Sequence, residues 1–141
     1  MKYIHNDEVQ KMSFRHTMLK YFSNHAETRE HHEDPSLQSR YYKTTKNKAL
    51  ETLERLFSNQ SQYKQNAISE EHGEISVYVI KGRKAFVIAT VIMVRPFQTA
   101  VDFSVTTESI FPFDFGYSNK LIQRMYHRLS KELTPIDRTD G

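Results

Sequence analysis

Residues 74–94, EISVYVIKGRKAFVIATVIMV, decide the fold. In their first part Ile75, Val77 and Val79 alternate with Ser76 and Tyr78, the period of a strand with one face turned to a core. Gly82, within Lys81-Gly82-Arg83-Lys84, supplies a hairpin turn. The returning strand, Arg83 to Val94, has a different pattern. One face carries Ala85, Val87, Ala89, Val91 and Met93, and the other Phe86, Ile88, Thr90, Ile92 and Val94, so both are apolar. A sheet with helices on one side turns its other face to water and should be polar there. A second apolar sheet surface is therefore expected around Phe86, Ile88, Ile92 and Val94, covered by another part of the chain, a second subunit, a protein partner or an apolar ligand.

Working outward, Gln98 to Thr107 returns after Pro96 with Val101, Phe103 and Val105 alternating against Asp102, Ser104 and Thr106. Tyr63 to Ser69 is a weaker strand, and the four strands form a meander. Upstream, Thr44 or Thr45 caps a helix with the stripe Ala49, Leu50, Leu53, Leu56 and Phe57. Leu37 to Lys43 alternates well enough for a short strand. Downstream, Ser118 caps a last helix with Leu121, Ile122, Met125, Tyr126, Leu129 and Leu133 on one stripe, ended by Pro135. The order β-α-β-β-β-β-α predicts an α+β domain: an antiparallel sheet with two helices packed on one face. That order resembles the TATA-box-binding-protein-like and helix-grip architectures, an analogy of fold alone.

Before Pro35, Val9, Met12, His16, Leu19, Phe22 and Ala26 recur at spacings of three and four, which predicts an amphipathic N-terminal helix. The expected division is a helical arm at 1–34, the α+β domain at 35–135 and a frayed tail at 136–141. The arm is expected on the second apolar face, in its own chain or a neighbour.

The chain has 141 residues, enough for one domain with a core of its own, and no Cys, which excludes disulfides, thiolate metal sites and cysteine nucleophiles. No signal-peptide pattern opens the sequence, and the longest apolar run, Ala85 to Val94, is far short of the ~20 residues of a spanning helix. A cytoplasmic protein with no membrane span is expected. The net charge of +3 is mild beside the basic stripe of a dedicated nucleic-acid binder.

Two groups of residues carry a resemblance to a known family. Asp34-Pro35-Ser36-Leu37 with Arg40-Tyr41-Tyr42, and Asp114-Phe115-Gly116 followed by Asn119-Lys120 and Ile122, resemble the two ends of bacterial proteins in the domain-of-unknown-function family numbered 1499. The likeness spans about residues 34–133, and the N-terminal arm departs from it. It implies no catalytic residue.

Candidate chemistry is sparse. His16, His25, His31 and His32 stand among Glu27, Glu30, Glu33 and Asp34, yet no two of these histidines have the i,i+4 spacing that points both rings at one metal ion. No metal or cofactor is expected. Ser104, Asp102 and His127 lack a nucleophile elbow, and four glycines leave no phosphate-cradling loop. Asp114-Phe115-Gly116 copies a kinase tripeptide without the rest of that machinery. Asp102 with Glu108 or Asp114 would be a carboxylate pair only if folding joined them. Arg40, Tyr41, Tyr42 and Lys43, with Lys81, Arg83 and Lys84, interleave cations and aromatics as a single-stranded nucleic-acid surface does. Tyrosine is also ordinary strand material, and lysines commonly guard sheet edges. The expected function is a non-enzymatic binding module, with weak nucleic-acid binding as the alternative.

Overall fold

Thr45 opens the first helix, α1 (Lys46–Leu56), by accepting a hydrogen bond from the Lys48 N–H, and its predicted stripe of Ala49, Leu50, Leu53 and Leu56 is buried. The second helix, α2 (Tyr117–Glu132), buries Leu121, Ile122, Met125, Tyr126 and Leu129. Its cap is Gly116, in the left-handed region at φ 76°, while the expected cap Ser118 lies inside the first turn and is buried. These helices belong to a computed structural model in which residues 24–107 and 116–137 are described.

The strands are β1 (Asn24–Glu27), β2 (Arg40–Tyr42), β3 (Tyr63–Ser69), β4 (Glu74–Val79), β5 (Ala85–Arg95), β6 (Gln98–Thr107) and β7 (Pro135–Ile136). They form one sheet, ordered β3-β4-β5-β6-β2-β7, with β1 also paired to β6. Every strand pairing is antiparallel. The fold is α+β, and the meander β3 to β6 follows the alternation of the sequence.

Three expectations change. Asn24–Glu27, assigned to the end of a helical arm, is a strand on β6, and Ala26 packs against the core shared with the helices. The sheet thus begins ahead of Pro35; residues 1–23 of the expected arm, including Met12, His16, Leu19 and Phe22, lie outside the described residues. The strand expected from Leu37 shrinks to Arg40–Tyr42, because Asp34 accepts from the Ser36 N–H and starts a short 3-10 helix, Pro35–Leu37. Ile136, placed in a frayed tail, pairs with Tyr41 in β7.

Between sheet and helices lies one core in which Leu53, Ile75, Val77, Val87, Val91, Val101, Phe103 and Leu129 are almost wholly buried. Gly73 closes the β3–β4 turn at φ 67°, and its carbonyl accepts from the Val91 N–H at 2.7 Å. A Cβ there would overlap the Val91 carbonyl oxygen.

Leu53→Ala and Leu129→Ala should each cost about 2–5 kcal/mol in urea unfolding, because both side chains are fully buried and would leave cavities. Gly73→Ala should also be destabilising, by at least the ~1–2 kcal/mol of a left-handed alanine. A midpoint equal to the parent's in any of the three would mean that the position is not packed as described.

Candidate functional site: the sheet break and the outer face

Strand β6 has one edge shared by two strands. Beside it β1 covers Ser104–Thr107 and β2 covers Thr99–Val101, and between them the chain leaves the sheet for residues 28–39. Asp102 and Phe103 stand at the break. There Thr28 substitutes for a strand neighbour: its N–H donates to the Phe103 carbonyl at 2.8 Å, and its Oγ1 accepts from the Phe103 N–H at 2.9 Å. Asp102 Oδ1 accepts from the Thr28 hydroxyl at 2.7 Å and from the Ser39 hydroxyl at 2.5 Å, holding both ends of the excursion. From the helix side, the Tyr126 hydroxyl donates to the Val101 carbonyl at 2.7 Å and lies 3.1 Å from Thr28 Oγ1. Burial pushes the Tyr126 phenol far above its ordinary value, so it stays a neutral donor. The Arg40 guanidinium stacks on the Tyr126 ring, 4.6 Å from its centre.

A second polar clasp holds the excursion to α2. Asp34 accepts from the Ser36 N–H and hydroxyl at 2.9 and 2.7 Å and from Asn119 Nδ2 at 3.1 Å. The Ser36 hydroxyl and backbone N–H, with a lesser contribution from Asn119, hold the Asp34 carboxyl below its ordinary value against the opposing effect of desolvation. Asp34 and Ser36 belong to the first group of residues singled out in the sequence and Asn119 to the second, so folding joins them.

The outer face of the sheet runs from closed to open along β5. Phe86 is 3% exposed, with the Tyr78 ring centre 5.2 Å from its own. Ile88 and Thr90 are half-buried, and Ile92 and Val94 are 53% and 49% exposed. Of the four residues expected to form an apolar outer surface, Phe86 is thus interior and Ile92 and Val94 are accessible. Past Thr90, the last β5 residue paired with β4, the β5–β6 hairpin continues to Arg95 and Gln98. Met93, on the same side of β5 as the core residue Val91, is 46% exposed. A bulge at Val94 and the two-residue turn Pro96-Phe97 end the hairpin. Phe97 has φ 57° and is 61% exposed. The sequence reading missed Phe97 because a left-handed turn position is ordinarily signalled by Gly or Asn.

The basic, tyrosine-rich group divides. Tyr41 is 6% exposed and Tyr42 fully buried, its hydroxyl 2.9 Å from Ser130 Oγ, so neither ring offers a face on which a base could stack. Arg40 is opposite Val101, whereas Lys81, Arg83 and Lys84 precede Ala85, which is opposite Thr107. Six residues of strand, about 20 Å, separate the two sets. Lys43 is exposed beside the base of the β5–β6 hairpin.

The remaining candidates do not assemble. Ser104 is on the outer side of β6, while His127 is exposed on α2 on the other side. Asp102 is occupied by two hydroxyls, and Glu108 and Asp114 lie outside the described residues. His32 Nδ1 accepts from the Asp34 N–H, and His31 is exposed. Among the described residues no three His, Asp or Glu side chains come together as a metal site, and no helix is long and apolar enough to cross a membrane. Two open grooves of about 480 and 490 Å³ lie at Phe57–Tyr63–Ile80 and at Arg40–Tyr41–Ile136, away from Ile92 and Val94. No family model matches the chain, and no curated protein matches it.

Tyr126→Phe should lower stability by about 1–3 kcal/mol, since the buried Val101 carbonyl loses its donor; an unchanged urea midpoint would show that another group takes its place. The Asp34 clasp has a pH signature. A carboxyl depressed in the folded state stabilises fully above its unfolded value of 3.8 and loses that contribution as pH falls through the lower native value. The stability difference between parent and Asp34→Ala should accordingly be constant near neutrality and shrink below 3.8. A difference that grows on acidification would contradict the assigned sign.

Proposed function

We propose that the chain is a non-enzymatic binding module that engages its partner through the open end of its β5–β6 hairpin, where the outer sheet face is exposed. The observation that carries this reading is the run of exposed apolar side chains Ile92, Met93, Val94 and Phe97 on one projecting hairpin. The largest apolar patch on a monomer is often functional, and these four residues lie together past Thr90, where the pairing of β5 with β4 stops. Ile88 forms the half-buried margin of this surface, and Phe86 anchors it from within. The polar groups most suited to chemistry serve the fold: Asp102, Thr28 and Tyr126 bond one another across the sheet break. We place the protein in the cytoplasm, a reducing compartment that suits a chain with no Cys.

A solvatochromic hydrophobic dye tests the reading. The parent should enhance dye emission in the folded state. A variant carrying Ile92→Ser and Val94→Ser should lose most of that enhancement while melting close to the parent, because both positions are about half exposed. A silent parent, or equal emission from the two proteins, would remove the basis for the proposal.

A further inference from the structure

We infer that the partner of the β5–β6 hairpin is a lipid surface, into whose interfacial region the tip inserts with Phe97 leading. This rests on the binding reading above and adds the identity of the medium. Three observations point to it. First, the tip is apolar on both sides: Ile92 is on the outer side, Met93 on the helix side, and Phe97 projects from the end, each between 46% and 61% exposed. A flat protein partner would cover one side of such a wedge and leave the other in water, whereas lipid surrounds it.

Second, the patch is small. One half-exposed aromatic and three half-exposed aliphatic side chains offer roughly 350 Å² of apolar surface. A stable protein interface takes about 800 Å² from each partner. Patches of this size occur on ordinary monomers, so size alone decides only against a stable dimer. Shallow insertion needs no more than a few such side chains, because its free energy scales with the apolar area buried.

Third, Phe97 is held where the fold does not need it. A bulky residue at φ 57° is an outlier, and at 61% exposure no packing of the domain accounts for its place in a two-residue turn where glycine would fit without strain. Strain of this kind is typical of functional positions. Arg95, paired with Gln98, directly flanks the turn, and its aliphatic stem can lie along the apolar wedge with the guanidinium at headgroup level. At the base of the hairpin, Lys46 Nζ donates to the Glu71 carbonyl, and Lys43, just after β2, and Glu70 and Glu71, in the β3–β4 turn, are exposed. The rim is mixed in sign, so insertion and not charge is expected to drive binding.

The full chain contains no Trp, which allows a direct test. Phe97→Trp puts a single tryptophan at the tip, and Ile80→Trp puts one at another exposed apolar site, 48% exposed just past the opposite end of β4. With phosphatidylcholine vesicles at millimolar lipid, Phe97→Trp emission should shift to the blue and Ile80→Trp emission should not. The parent should float with these vesicles, with or without added phosphatidylglycerol, and Phe97→Gly, which keeps the turn and relieves its backbone, should partition about tenfold more weakly or worse. The inference is overturned if the parent does not float, if floating requires phosphatidylglycerol, if Phe97→Gly floats like the parent, or if both tryptophans shift alike. Dye enhancement lost in the Ile92 and Val94 variant, beside vesicles that fail to recruit the parent, would leave the binding reading standing and remove lipid. Dye silence in the parent would remove both.

Discussion

The structure depends on how β6 shares one edge between β1 and β2. A strand edge can be interrupted only if the backbone groups at the interruption find other partners, because a buried unpaired amide or carbonyl costs as much as a lost fold contact. Here the Phe103 N–H is taken by the Thr28 hydroxyl oxygen and the Val101 carbonyl by the Tyr126 phenol. Asp102 then accepts from both Thr28 and Ser39, so the chain that leaves the sheet at one and returns at the other is closed on a single carboxylate oxygen. Because Tyr126 belongs to α2, the same contacts fix the helix layer against the sheet. The edge-to-face contact of Tyr126 with Phe103, 4.8 Å between ring centres, extends that attachment into the core.

Much of this was legible where periodicity was long. Strands β4, β5 and β6 each present at least three alternating apolar positions, and the stripes of α1 and α2 repeat over three or more turns, so local pattern and tertiary burial agree. Strand β1 was not legible. Asn24-His25-Ala26-Glu27 has no alternation of its own and is a strand because β6 leaves an edge open to it. Strand β7 has two residues, one of them Pro135, and exists only through its pairing with β2. Such elements are dictated by the partner, and a single sequence carries no record of the partner's edge.

The site was partly legible for a related reason. The doubled apolar pattern of β5 assigns each residue to a side and not to a depth. Phe86 and Ile92, equivalent by alternation, differ from 3% to 53% in exposure, the first beside the Tyr78 ring and the second past the last β4 pairing at Thr90. Alternation likewise gave no sign that Tyr41 and Tyr42 are both buried, Tyr42 with its hydroxyl 2.9 Å from Ser130 Oγ of α2. Phe97 was beyond reach because its weight lies in a backbone angle that no residue-type rule assigns to Phe.

How far the hairpin projects follows from these stops. Beyond Thr90 on one side and Thr99 on the other, β5 and β6 pair with each other alone among the described residues. Two-stranded ribbons are marginal by themselves, yet this one is continuous with an eleven-residue strand whose first half is core. Its base is also fixed on both flanks, by the Val91 N–H to the Gly73 carbonyl at 2.7 Å and by the Thr99 hydroxyl to the Thr44 carbonyl at 2.6 Å. The bulge at Val94 increases the local twist and breaks the strict alternation just before the turn. A projection anchored this way presents its apolar side chains without first having to order them, which lowers the entropic cost of any contact they make. The extent of ordered, apolar, projecting strand is thus set by the residues that end its neighbours, Gly73 on one flank and Thr44 on the other.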